Sequence, residues 1–147
     1  MKPSTKAELA LNGMAELARR VPAKPMSLAI LAENQAISLS YLEQVFAALR
    51  RQGLVLSVRG PGGGYLLARS AEAISAGEII RALDEPETDS AEPTHALNHD
   101  SGKTRNFWAS MHYQVLELFD GVSLQNILDG DYGKSGSAKE TTAQAAE

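Results

Sequence analysis

Between the apolar runs LVLSV and YLLA the chain reads GPGGG at residues 60–64, one proline and four glycines in five positions. A helix does not cross such a run, because glycine loses the most backbone entropy on ordering and proline lacks a donor. Two short apolar strands flank it, so the run reads as the tip of a β-hairpin, where several positions need φ > 0 and glycine supplies it. Arg59 stands in front of this tip and Arg69 behind the second strand.

Upstream the chain is helical. Thr5-Lys6-Ala7-Glu8 has a capping-box pattern that opens a first helix, with Ala7, Ala10, Leu11, Met14, Leu17 and Ala18 as its buried stripe. Pro22 and Pro25 end it. A second, short helix is expected from Ser27 to about Gln35. A third, in ISLSYLEQVFAALRRQG, opens on a Ser40-x-x-Glu43 box and closes on Gly53. Leu42, Val45, Phe46 and Leu49 form its inward face. Ser40, Glu43, Gln44, Ala47 and Arg51 form an outer face that is small or polar throughout and open to another surface. Two helices on a short turn, followed by a hairpin, make a winged helix-turn-helix, mainly α with a small β wing. A fourth short helix, boxed by Ser75 and Glu78, runs to Leu83. A longer amphipathic helix is expected from about Arg105 to Phe119, striped by Trp108, Met111, Val115, Leu118 and Phe119. SLQNIL adds a last short helix.

The charge divides as the elements do. Residues 1–70 hold nine Lys/Arg and four Asp/Glu, net +5; residues 71–147 hold five and fourteen, net −9, which together give the overall −4. A basic front fits a nucleic-acid face that the average conceals. With no cysteine in 147 residues, disulfides, thiolate metal sites and a cysteine nucleophile are excluded. No run reaches the roughly 18 apolar residues of a membrane span, and MKPSTKAELA lacks a signal-peptide core, so a cytoplasmic protein is expected. The glycine loop does not fit a phosphate cradle: no Lys or Ser/Thr follows as a Walker loop requires, and a strand, not a helix, follows as the dinucleotide fingerprint forbids. No catalytic constellation stands out, and no enzyme is expected.

The segments ISLSYLEQVFAALRRQGLVLSVRGPGGGYLLAR, AISAGEIIRALDE and, less closely, FWASMHYQVLELFDGVSLQNIL resemble the IscR and NsrR type winged-helix regulators, the Rrf-two family. The resemblance implies a homodimeric transcription factor, by default a repressor, whose long helix crosses onto the partner subunit. It covers a DNA-binding part over 1–84 and a dimerisation helix with a terminal helix over 105–129; between them composition gives a polar loop, in the sensor position, over 85–104, and after them a disordered tail over 130–147. Many members hold an iron-sulfur cluster on three cysteines in that loop. Here it reads EPETDSAEPTHALNHDSGKTRN, so no cofactor is expected and a cluster is not supported.

The expected partner is double-stranded DNA carrying a palindromic operator. On the third helix Gln44 suits an adenine, Glu43 a cytosine amino group, and Ser40 and Tyr41 phosphates, while Ser38 and Arg51 position the backbone. Glu43 is equally well explained as the box partner of Ser40. On the wing, a tip of Gly60, Gly62 and Gly63 led by Arg59 is slender enough for a minor groove; the bland alternative is a hairpin loop that simply needs glycine. Glu8 lies where some family members place a carboxylate ligand to their cluster, against the simpler role of capping the first helix through Thr5. His95 and His99 have the i, i+4 spacing of a divalent-metal pair, with Asp100 or Glu92 to complete it, against two solvated histidines in a polar loop. His112 reads as an interface or surface residue. Two further readings stay open: a regulator that senses iron or zinc through those histidines, and a dimerisation partner that binds no DNA.

Overall fold

Serine starts five of the helices. In the computed structural model, which describes residues 4–20, 23–84 and 101–132, α1 (Thr5–Ala18), α2 (Leu28–Gln35), α3 (Leu39–Arg51), α4 (Ala76–Leu83) and α6 (Leu124–Asp129) follow Ser4, Ser27, Ser38, Ser75 and Ser123. Each serine is extended, and its hydroxyl accepts from an amide of the first turn, as from Ala7 at 3.1 Å and Tyr41 at 3.2 Å. Such a cap stabilises a helix by about 1 kcal/mol.

Two expected caps are corrected. The first helix is capped by Ser4 and not by a Thr5–Glu8 box, and the third by Ser38 and not by a Ser40–Glu43 box. Serines 38 and 40 are both eligible by type. Capping at Ser38 places Ile37 just before the cap and Leu42 at the fourth helical position, the arrangement of a hydrophobic staple, and both belong to or pack against the core. The Ser75–Glu78 box forms as expected.

α3 ends in a Schellman motif, in which the Gly53 amide donates to Arg50 O (3.0 Å) and the Leu54 amide to Leu49 O (3.0 Å), burying Leu54 and sending the chain into the wing. β1 (Val55–Val58) pairs antiparallel with β2 (Gly64–Leu67) in the register Val55 to Leu67 and Val58 to Gly64. Two residues before α2, Met26 pairs with Tyr65 through both backbone hydrogen bonds (2.9 and 2.8 Å), adding a one-residue third rung on the far side of β2 that joins the wing to the helix-turn-helix. Gly64 permits this approach, because a Cβ there would collide with the Met26 carbonyl.

Phe46, Met14, Leu31, Leu42, Leu49, Leu54, Ile74, Ile79 and Leu124 are fully buried in one core shared by α1, α2, α3, α4 and α6. Tyr65 on β2 meets Phe46 edge to face, ring centres 5.2 Å apart. Gly13 on α1 makes room for Phe46, whose ring would touch any added Cβ at 2.9 Å.

α5 (Ser101–Asp120) starts before the expected Arg105, since Ser101–Thr104 has no apolar residue to show periodicity. Of its described side chains only Leu116 is buried; Trp108 is 67% and Leu118 75% exposed. The helix is tied back at its end, where Ala76 N donates to Val122 O and Leu124 N to Ile74 O, both at 2.8 Å.

Candidate nucleic-acid interface

The outer face of α3 and the tip of the wing lie on opposite sides of one groove. Ser27, Leu28 and Ala29 at the start of α2, Leu39 and Glu43 on α3, and Val58, Gly60 and Gly63–Tyr65 on the wing line a space of about 520 Å³. Ser40, Glu43, Gln44 and Arg51 are exposed, Tyr41 is half-buried against the core, and Ser38 is exposed but engaged as the α3 cap. The core holds the helix by Leu42, Val45, Phe46 and Leu49, which fixes the opposite side chains outward. With the cap assigned to Ser38, the carboxylate of Glu43 has no box to serve.

The tip is a type II turn over Gly60–Gly63. The Gly63 amide donates to Gly60 O at 2.9 Å, Pro61 sets the first corner, and Gly62 takes the second at φ 75°. Gly63 has no room for a side chain, since a Cβ would strike the carbonyl of Val58. The result is a projection free of side chains except for Arg59 and the proline ring, and Arg59 is exposed.

The other arginines of this part are differently placed. Arg69 donates to Ala73 O and to Glu78 Oε1, both at 2.8 Å, fixing the end of β2 to α4. Arg50 reaches Ser57 Oγ at 3.4 Å across the base of the wing. The Ser75 backbone amide, followed by Arg69, holds the Glu78 carboxyl below its ordinary range. Sequence reasoning missed Leu39, Val58 and the Met26 rung as parts of this surface; only the tertiary approach of α2, α3 and the wing reveals them.

Glu8 is exposed on the first turn of α1. His95 and His99, with Glu92 and Asp100, lie outside the described residues. His112 on α5 is exposed, its Nε2 3.9 Å from Asp84 Oδ2.

A capped helix pair, an open α3 face and a hairpin wing beside it define a winged helix-turn-helix DNA-binding transcriptional regulator. The family model for Rrf2, described as an iron-dependent transcriptional regulator, matches residues 3–130, and the chain belongs to that family. It is 52% identical to the HTH-type transcriptional regulator IscR of Escherichia coli over 151 aligned positions, covering 99% of this chain and 91% of that one. The solved structure of IscR from T. potens superposes with a TM-score of 0.68 at 35% identity, covering 95% of this chain and 94% of that one. CymR, the global cysteine regulator of B. subtilis, gives 0.67 at 36% identity over 88% of this chain and 98% of that one.

The iron dependence in the family's description meets a donor set that does not fit a thiolate-held cluster. The chain has no cysteine, and among the described residues no three His, Asp or Glu side chains gather as a metal site would require. Among the described residues, no helix is long and apolar enough to cross a membrane.

Proposed function

We propose that this regulator is a cytoplasmic homodimer that binds a palindromic operator and represses by occluding polymerase, with its two α3 helices in successive major grooves and its two wings in the flanking minor grooves. The observation that carries the reading is that Leu39 and Glu43 on α3 face Val58, Gly60 and Gly63 of the wing across one groove, with Ser40, Gln44 and Arg59 exposed beside it. Gln44 bonds an adenine edge, Glu43 accepts from a cytosine amino group, Ser40, Tyr41 and Ser38 hold phosphates with Arg51, and Arg59 enters the minor groove over Gly60, Gly62 and Gly63. The reading assigns no catalytic step.

The exposed apolar face of α5, with Phe107, Trp108, Leu118 and Phe119, supports a second copy of the chain as its cover. The signal is then something other than a cluster on thiolates, for want of ligands. Selection of bound duplexes from a random pool tests the reading. A twofold-symmetric consensus is expected, and Gln44→Ala relaxes the preference at one base pair per half-site. Wild-type protein that enriches no sequence, yet forms stable heterodimers with a related regulator, would overturn it.

A further inference from the structure

The large apolar side chains left exposed among the described residues fall into two sets. Phe107, Trp108, Tyr113, Leu118, Phe119 and Tyr132 belong to α5 and the segment beyond it; Ile30, Leu39, Leu56 and Val58 belong to the helix-turn-helix and wing. Leu39 is the member of the second set on the recognition helix, at its first residue, and is 41% exposed. Local folding does not require a leucine there. The cap is Ser38, the staple positions are Ile37 and Leu42, and the core contacts of α3 come from Tyr41 onward. Leu39 instead lines the groove between α3 and the wing together with Glu43, Val58 and Gly60.

Leu39 and Glu43 are one turn apart on the same face of α3, about 5–6 Å between Cβ atoms. The first turn of a recognition helix is the part that meets base edges. In the major groove, the 5-methyl group of thymine is the apolar feature of a base pair that an aliphatic side chain can cover. We infer that Leu39 is a specificity-determining residue that reads a thymine methyl, one to two base steps (about 3.4 Å each) from the base facing Glu43. The inference rests on the DNA-binding reading and adds an apolar readout to a surface otherwise described by polar groups. Leu39 shields the methyl from water, whereas a cytosine at that position offers no methyl and leaves the leucine facing a polar amino edge.

The experiment replaces each thymine of a selected duplex, in one half-site at a time, by deoxyuridine, which differs only by that methyl. Wild-type protein, Leu39→Ala and Leu39→Met are compared by competition binding, with a thermal melt of each to confirm folding; Leu39 is exposed, so both variants are expected to fold. At one thymine per half-site the exchange weakens wild-type binding about fourfold, the worth of one buried methyl group. Leu39→Ala binds the thymine and deoxyuridine duplexes equally, and Leu39→Met restores a difference. Indifference of the wild type to every exchange, or unchanged discrimination by Leu39→Ala, overturns the assignment while leaving DNA binding intact. A wild-type protein that binds no duplex overturns both.

Discussion

Arg81 on α4 and Asp120 at the end of α5 meet fork to fork, Nη1 to Oδ1 at 2.5 Å and Nη2 to Oδ2 at 2.6 Å, and Gly77 leaves the space in which the carboxylate sits. A Cβ at position 77 would overlap Asp120 Oδ1 and come within 3.1 Å of Arg81 Nη1. This pair and Arg69–Glu78 fasten both α5 and the base of the wing to the same short helix, α4.

Gly77→Ala is therefore expected to displace Asp120 and weaken the pair. Both partners are about two-fifths exposed, so the loss is modest and offsets the gain in helix propensity that alanine brings. In an Asp120→Ala background the same substitution should become stabilising by about 0.5–1 kcal/mol, through helix propensity alone. A double-mutant cycle from urea melts measures this difference; equal effects in both backgrounds would show that Gly77 does not serve the pair.

Acid should loosen the same two fastenings. The hydrogen bonds from Arg81 hold the Asp120 carboxyl below its ordinary range, and the Ser75 amide with Arg69 does the same for Glu78. A depressed folded-state pKa gives stability that is complete above the unfolded value and is lost as pH falls through the folded one. Stability should thus decline below about pH 4, and Glu78→Gln with Asp120→Asn should flatten that decline. Urea midpoints measured between neutral pH and the acid limb read it; an identical slope in the double variant would contradict the assignment.

The turn of the helix-turn-helix is made by an alanine in the left-handed region. Ala36 has φ 53° and ψ 43°, held by Ile37 N donating to Ala32 O at 3.0 Å. For a residue with a Cβ this conformation costs about 1–2 kcal/mol, offset in part by the lower entropy of an unfolded alanine relative to glycine. Ala36→Gly should raise stability by about 0.5–1 kcal/mol without altering DNA affinity, as shown by urea melts beside duplex titration. A lower midpoint would mean that the turn is not strained.

One residue before it, the Gln35 side chain carries a buried amide whose nitrogen and oxygen find no hydrogen-bond partner among the described residues. Gln35→Met keeps the volume and removes the unpaired groups, so thermal unfolding should shift upward by the equivalent of about 1 kcal/mol. A downward shift would show that the amide is paired in solution.

The fold was legible where a signal is local. Four glycines and a proline dictated the hairpin tip, and the alternation of Leu42, Val45, Phe46 and Leu49 with Ser40, Glu43 and Gln44 separated the two faces of α3. Helix starts were less legible, because Ser4 and Thr5, or Ser38 and Ser40, are chemically equivalent candidates and only packing chooses between them. The Met26 rung, the Gly77 space under Asp120 and the exposure of Leu39 depend on segments distant in sequence, for which no local pattern exists.

The salt dependence of duplex binding by wild type and Arg59→Ala tests the central claim most directly. If the wing places Arg59 against the minor groove, the variant binds more weakly and the slope of log affinity against log salt falls in magnitude by about one per arginine contact. Equal affinity and an equal slope in the two proteins would remove the wing from the interface and contradict the account.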